Sequence, residues 1–142
     1  MKEYNFPIFE DTIKTLQQPT ENVLDFAKKV KEADGIIIVT PEYNGGLSAN
    51  LKNAIDNLCY EWQGKPFSIS TLSDGIFGGS QALASLQFIL WKIGALIVTN
   101  MYPAPTVSNT FDENGIATDK TCTERLTKVF IDELLESIED SK

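Results

Sequence analysis

The 142-residue sequence contains no histidine. This absence excludes catalytic triads that depend on histidine and zinc sites that include it. It also removes the side chain that most often serves as a general base near neutral pH. Any chemistry must therefore depend on carboxylates, tyrosine or lysine, or on a bound cofactor that itself carries the electrons.

Cysteine is also scarce, since the chain has only Cys59 and Cys122 and no C-x-x-C motif. Two isolated cysteines favour a reducing compartment, so we expect a cytoplasmic protein in which both side chains serve packing. No apolar run approaches the roughly 20 residues that a membrane-spanning helix needs, and no signal-peptide pattern opens the chain. We therefore expect no membrane association.

Basic residues are few as well: 12 lysines and arginines stand against 20 aspartates and glutamates, for a formal net charge of −8. Proteins that bind nucleic acid carry clustered Lys and Arg for the phosphate backbone, so this charge argues against a nucleic-acid partner. The length fits a single domain, residues 1–142, with a buried core.

Three aliphatic or alternating runs predict strands at about 35–40, 66–72 and 95–100. Thr40-Pro41 is expected to end the first strand, because proline cannot donate a backbone hydrogen bond to a sheet. Helical patterns separate and follow these strands. The alternation of strands and helices predicts an α/β fold with a parallel sheet and right-handed crossovers.

Apolar spacing and capping residues predict the helices. The first covers about 20–32 with Thr20 as its N-cap, the second starts at Leu47 or Ser48, and the third covers 80–93. The T-x-x-E sequence at 121–124 has the form of a capping box for the last helix. Two prolines and an Asn-Gly pair predict a loop or loose hairpin at 104–118.

The stretch from Gly35 to Leu58 reads GIIIVTPEYNGGLSANLKNAIDNL and joins a strand, a loop and a helix. Its Pro-Glu-Tyr-Asn sequence, which follows an aliphatic strand and precedes Leu-Lys-Asn-Ala-Ile-Asp, resembles the flavin loop of the NADPH-dependent FMN reductase family. The resemblance covers nearly the whole chain. It implies a flavodoxin-like, three-layer α/β/α fold, in which ligands lie at the carboxyl ends of the strands.

By this resemblance two loops hold the flavin, one after each of the first two strands. We call Pro41–Gly45 the first loop and Ser73–Gly79 the second loop. The predicted cofactor-binding residues are Pro41, Glu42, Tyr43, Asn44, Gly45, Ser73, Asp74, Gly75, Gly78 and Gly79. The Gly79-Ser80 helix start also offers free backbone N–H groups, a modest anion site. No catalytic side chain and no metal ligand are predicted.

The residues alone leave a simpler interpretation open for each loop. The first is then an Asn-Gly-Gly turn with an incidental tyrosine, and the second a surface loop whose glycines begin a helix. Asp74 fits a turn residue better than a base. Trp62, Trp91 and Phe88 are expected in the core or at a subunit interface rather than around a ligand.

The resemblance implies an oxidoreductase that uses NADPH or NADH and bound FMN to reduce a quinone, an azo compound, a metal ion or free flavin. Its partners are then a small-molecule electron acceptor and further copies of the chain, as a homodimer or homotetramer built on the helices after the two loops. No Rossmann fingerprint distinguishes NADH from NADPH.

The family normally begins with a strand and a G-S-x-R loop that binds the FMN phosphate through backbone N–H groups. This sequence shows no such segment, so we expect an N-terminally shortened fold in which FMN binding is weakened or lost. The strand at about 35–40 is then expected to have an unpaired edge. The alternative function is a shortened flavodoxin-like domain without flavin activity that acts through assembly or protein contacts.

Overall fold

The computed structural model describes Tyr4 and residues 6–142, so the first three residues of the expected 1–142 domain and residue 5 lie outside the described part. The helices are Glu21–Glu32 (α1), Ala49–Asn57 (α2), Ser80–Lys92 (α3), Val107–Thr110 (α4) and Lys120–Asp140 (α5). The strands are Ile36–Tyr43 (β1), Gly46–Leu47 (β2), Pro66–Leu72 (β3), Leu96–Ile97 (β4) and Tyr102–Ala104 (β5).

The sheet is built on β3, which has β1 on one side and both β4 and β5 on the other. All three of these pairings are parallel, and the β1–β3 register runs from Ile36 opposite Phe67 to Pro41 opposite Leu72. The predicted parallel α/β sheet is therefore confirmed. The short strand β2 adds one antiparallel pairing at the end of β1, which the sequence did not indicate.

The expected end of the first strand at Thr40-Pro41 is wrong, because β1 continues through Pro41 to Tyr43. Along 36–41, β3 is the strand that pairs with β1 in the described part of the chain, so this stretch is an edge of the sheet. Proline is tolerated on edge strands because its missing N–H breaks no central ladder. The expected unpaired edge is thus present among the described residues.

Of the predicted third strand, at about 95–100, only the two residues of β4 are strand, and β5 follows beyond it at 102–104. Between them, the Glu133 carboxylate on α5 accepts hydrogen bonds from the N–H groups of Thr99, at 3.0 Å, and Asn100, at 2.5 Å. These N–H groups are bound to a side chain instead of a neighbouring strand, so the ladder is interrupted there.

Helices cover both faces of the sheet. One face packs on a cluster of buried side chains from α1, α2, α3, the strands and the segments that follow α2 and α3, namely Val23, Ala27, Val30, Ile38, Ile55, Leu58, Trp62, Phe67, Ile69, Leu86, Leu90 and Ala95. On the other face α5 buries Phe130 and Leu134, and its Ile138 lies so close to Gly35 that an added Cβ there would be 2.6 Å from Cδ1. The expected three-layer order is confirmed.

Side-chain caps set several helix starts. Thr20 caps α1 as predicted, and Ser48 caps α2, so that helix begins one residue after it. The capping box predicted at 121–124 is wrong, because Asp119 accepts the Cys122 N–H at 3.0 Å and starts α5 at residue 120. Aspartate is among the strongest N-caps, and it precedes the T-x-x-E sequence.

The segment at 104–118 is a hairpin only in its second half. Phe111 pairs with Ala117 in an antiparallel bridge, and Gly115 takes a positive φ of 76° at its tip. The first half instead completes β5 and forms α4. No helix in the described residues is both long and apolar enough to cross a membrane.

Candidate functional site

The first loop forms the tip of a β-hairpin. Tyr43 lies opposite Gly46, so Asn44 and Gly45 are the two turn residues, with φ of 50° and 74°. Positive φ at both central residues is the pattern of a type I′ turn, which matches the twist of a hairpin and favours Asn-Gly. The tip presents the Tyr43 side chain to solvent, with 62% of its surface exposed.

The second loop folds back on the end of β3. The Gly78 N–H donates to the Gly75 carbonyl at 3.3 Å, which closes a tight turn. The Thr71 hydroxyl at the end of the strand donates to the Gly78 carbonyl at 2.7 Å. Between these bonds, Ile76 and Phe77 extend into solvent, each 74% exposed.

Two glycines of the second loop are required by close packing. At Gly78 φ is +59°, and an added Cβ would lie 3.0 Å from backbone atoms of both Pro103 and Pro105. At Gly79 φ is +79°, and an added Cβ would lie 3.0 Å from the Thr71 Cβ. Both positions combine a left-handed backbone with a lack of space, so these glycines shape the loop. A direct contact of either with a cofactor stays a prediction.

Asp74 is engaged within the protein. Its carboxylate accepts the Ser108 N–H at 3.0 Å. Hydrogen bonds from the Ser108 side chain and backbone hold the pKa of the Asp74 carboxyl below its ordinary value. The neighbouring Ser73 carbonyl accepts the Val107 N–H at 3.1 Å, so both residues attach the second loop to α4.

Glu42 brings the two loops together. Its Oε2 accepts hydrogen bonds from the N–H groups of Gln81, at 3.1 Å, and Ala82, at 3.2 Å, in the first turn of α3. Gly45 also packs on α3, since an added Cβ would overlap the Gln81 side-chain oxygen. The anion site expected from free N–H groups at Gly79-Ser80 is therefore wrong, because a carboxylate of the protein occupies this helix end.

Parallel pairing explains why the two loops lie at the same edge of the sheet. Pro41 and Leu72 are opposite each other, so the chain leaves β1 and β3 at one level and in one direction. The sequence indicated both loops but not the contact between Glu42 and the start of α3. Glu42 precedes α3 by almost 40 residues, and no local pattern pairs a carboxylate with a helix start at that distance.

Apolar side chains are exposed in two other places. A groove of about 320 Å³ runs beside β1, lined by residues of α1, α2 and the strand that include Phe26, Ile36 and Leu51. On α3, Phe88 and Trp91 are each 65% exposed, with ring centroids 5.8 Å apart. Trp62 also lines the groove, but it is only 3% exposed and belongs to the core.

The chain is similar to known proteins in sequence and in fold. Residues 1–108 match the family described as NADPH-dependent FMN reductase. The chain is 44% identical over 87 residues to an NAD(P)H-dependent FMN reductase of Schizosaccharomyces pombe, covering 61% of this chain and 42% of the relative. It is 34% identical over 98 residues to a quinone reductase of Escherichia coli, covering 66% of this chain and 52% of the relative.

A solved structure extends the likeness to nearly the whole fold. The flavoenzyme NAD(P)H:(acceptor) oxidoreductase FerB of Paracoccus denitrificans matches with a TM-score of 0.77 and 25% identity, over 96% of this chain and 77% of FerB. The fold and its paired loops define a flavodoxin-like α/β protein. The chain belongs to the NADPH-dependent FMN reductase family. It spans about half the length of the curated relatives from fission yeast and E. coli.

Proposed function

We propose that the chain serves in a flavin-dependent oxidoreductase, in which NADPH or NADH reduces bound FMN and the electrons pass to a small-molecule acceptor. The observation that carries this proposal is the contact between the first loop and the helix that follows the second loop. It places two loops side by side at the carboxyl ends of β1 and β3, where ligands bind in open α/β sheets.

The first loop suits the ring system of a flavin. The exposed Tyr43 side chain offers an aromatic face, and the backbone at the hairpin tip offers donors and acceptors for the polar edge of the ring. Bound FMN supplies the electron-carrying ring, and the protein binds and orients it. In this proposal the backbone of Pro41–Gly45 and the residues Ser73 and Gly75 face the cofactor, while Gly78 and Gly79 shape the second loop.

The same loops suit the flavin phosphate poorly. They contain Glu42 and Asp74 but no lysine or arginine. The N-terminus of α3 binds Glu42 in place of an external anion. A dianion at this position would meet a carboxylate, so the two loops favour recognition of the ring over recognition of the phosphate.

A flavin titration of the 142-residue chain tests the proposal. Quenching of flavin fluorescence should show weak binding, with dissociation constants on the order of micromolar or above, that agree within about threefold for FMN and riboflavin. A large preference for FMN would show a phosphate site outside the two loops. Absence of binding for both flavins would contradict flavin-dependent chemistry by this chain.

The acceptor belongs to the same proposal. The names of two relatives, quinone reductase of E. coli and FMN-dependent NADPH-azoreductase of Staphylococcus haemolyticus, support a quinone or an azo compound. A metal ion and free flavin are the other acceptors we propose to test. Turnover of each with NADH and with NADPH would identify the substrate pair.

The alternative function, assembly without flavin chemistry, is favoured by one observation. Ile37 and Val39 on β1 are 44% and 62% exposed, beside the apolar groove. Such an edge is suited to pairing with another chain. Binding of neither flavin, together with stable association, would favour this function.

We also propose a homodimer or homotetramer that packs on α3. The exposed Phe88 and Trp91 side chains support a contact between copies of the chain there. Sedimentation should give a mass above the 15.8 kDa of one chain, and Trp91→Ala should weaken association. The matched control is Ile116→Ala, which removes another half-exposed apolar side chain from the hairpin at 111–117. A monomer at all concentrations would contradict the proposal.

Two further assignments stay with this proposal. We assign the chain to the cytoplasm, which the free thiols of Cys59 and Cys122 support. We treat residues 1–142 as one domain, supported by the single sheet that carries the two loops and by the core that packs against it.

A further inference from the structure

The first turn of α3 is satisfied by a residue from a distant part of the chain. Gly79, the N-cap of α3, has no side chain that accepts a hydrogen bond, and its backbone is left-handed. Glu42 supplies the missing acceptor for Gln81 and Ala82 through one carboxylate oxygen. Its negative charge also lies at the positive end of the helix dipole, which strengthens both bonds.

The other two N–H groups of this turn have local partners. The Ser80 N–H donates to the Phe77 carbonyl at 3.1 Å, and the Leu83 N–H donates to the Gly79 carbonyl at 3.0 Å. The N–H groups of Ser80, Gln81, Ala82 and Leu83 are thus all bound within the chain. Among these hydrogen-bond partners, Glu42 is the one that lies far from α3 in the sequence.

The two ends of the contact differ in how firmly they are anchored. Ala82 is fully buried, so its N–H is fixed relative to the core. Glu42 lies opposite Leu47 in the hairpin and directly precedes Tyr43, whose side chain is largely exposed. The carboxylate therefore attaches an exposed hairpin tip to a buried helix start.

We propose that Glu42 is a positioning residue that fixes the first loop relative to the second and so sets the width of the slot for the flavin ring. This inference rests on the proposed flavin site. Glu42 acts through Tyr43 and Asn44, whose place it determines, and not by contact of its own carboxylate with the cofactor. The two N–H groups that bind its carboxylate lie in the first turn of α3, two and three residues beyond Gly79, the last residue of the second loop.

Removal of the Glu42 carboxylate should weaken the binding of FMN and of riboflavin equally, although only FMN carries a phosphate. Glu42→Ala should raise the dissociation constants of FMN and riboflavin alike, by about tenfold, because two charge-assisted hydrogen bonds are lost. Glu42→Gln keeps an oxygen acceptor but not the charge, so it should raise both by only about threefold. The visible absorption of the bound flavin should shift in the alanine variant, since the ring meets a changed environment.

Glu133 provides a matched control. Its carboxylate also accepts hydrogen bonds from two successive backbone N–H groups, but in the segment between β4 and β5. Neither loop of the candidate site is among its hydrogen-bond partners in the described part of the chain. Glu133→Ala should therefore lower stability while the flavin dissociation constants stay within about twofold of those of the parent chain.

Hydrogen exchange without flavin separates this inference from the proposed function. In Glu42→Ala, amide exchange should accelerate at Gln81 and Ala82 and also in the hairpin at 43–46, whereas Glu133→Ala should leave both segments unchanged. Unchanged exchange in the hairpin would overturn the inference. If the parent chain binds no flavin, only the proposed function fails, and the exchange data still decide whether Glu42 couples the loops.

Flavin binding provides a second test of the positioning role of Glu42. Equal flavin affinity of the Glu42→Ala and Glu133→Ala chains would overturn the positioning role. If an alanine variant fails to fold, Glu42→Gln and Glu133→Gln carry the same comparison. The positioning role is supported if Glu42→Gln loses more flavin affinity than Glu133→Gln and also shows faster amide exchange in the hairpin.

Discussion

The two loops of the candidate site leave neighbouring parallel strands at one edge of the sheet, yet they are held in different ways. The first loop is a hairpin tip that the Glu42 side chain hydrogen-bonds to the helix start, where Gly45 also packs on α3. The second loop is held mainly by backbone hydrogen bonds and by glycines that leave no room for a side chain. The hydrogen bonds from the first loop to the helix start thus come from a side chain, whereas those that hold the second loop come mainly from the backbone.

A residue can stand out in a sequence for two reasons: because the fold needs it, or because it binds a ligand. Gly78 and Gly79 stand out in the sequence because the fold needs them, whether or not a cofactor touches them. Tyr43 has no comparable role in packing, since most of its surface is exposed. A functional role is therefore easier to test at Tyr43, where substitution leaves the fold intact.

The largest effect is expected at Gly78. Alanine there would be strained by a φ of +59° and would lie 3.0 Å from the backbone of Pro103 and Pro105, which cannot rotate away. We expect Gly78→Ala to lower the free energy of unfolding by roughly 3 kcal/mol. Urea unfolding of the parent chain and of the Gly78→Ala chain would measure this difference in free energy.

Two other glycines distinguish the cost of a left-handed backbone from the cost of steric overlap with an added Cβ. Gly64 has a φ of +69° but no atom within 4 Å of an added Cβ, so alanine should cost only about 1 kcal/mol. Gly75 is not left-handed, and its nearest neighbour would be the Ser73 Oγ at 3.5 Å, so alanine should change stability by less than about 0.5 kcal/mol. A Gly78→Ala chain as stable as the Gly75→Ala chain would show that the second loop is not fixed by its backbone.

Tyr43→Ala should have the opposite profile. The free energy of unfolding should change little, while the dissociation constants of FMN and riboflavin should both rise by about tenfold, because the lost contact is to the ring. Fluorescence titration would measure both dissociation constants. Tyr60→Ala is the control, since Tyr60 is 56% exposed but bonds to Lys14 elsewhere on the surface. Equal flavin affinity of the two variants would remove Tyr43 from the site.

The parts of the fold that depend on local sequence were predictable. The aliphatic run at 36–38 and the strand at 66–72 formed as expected, and Thr20 capped α1. The Asn44-Gly45 pair gave the turn that its φ preferences favour. Each of these features depends on residues that are neighbours in the chain, so the sequence pattern contains the physical cause.

The failures share a different cause. Pro41 stayed in β1 because that stretch is a sheet edge, and Glu133 divided the third strand from a helix more than 30 residues away. Glu42 filled the helix start where free N–H groups were expected. In all three cases a tertiary contact outweighed a correct local preference, and a single sequence does not show which distant groups meet.

The smallest effect concerns Asp74, which ties the second loop to α4. Hydrogen bonds from Ser108 lower the pKa of its carboxyl below the ordinary 3.8, so the charged form stabilises the fold above that pH and the contribution is lost as pH falls through the lowered value. Asp74→Asn should therefore be slightly less stable than the parent chain at neutral pH, and the gap should narrow below about pH 4. Urea unfolding at pH 7 and pH 3 would measure it, with Glu113→Gln, on the hairpin at 111–117, as the control for a lost charge. A gap that stays constant to low pH would show that the charge of Asp74 plays no part in holding the second loop.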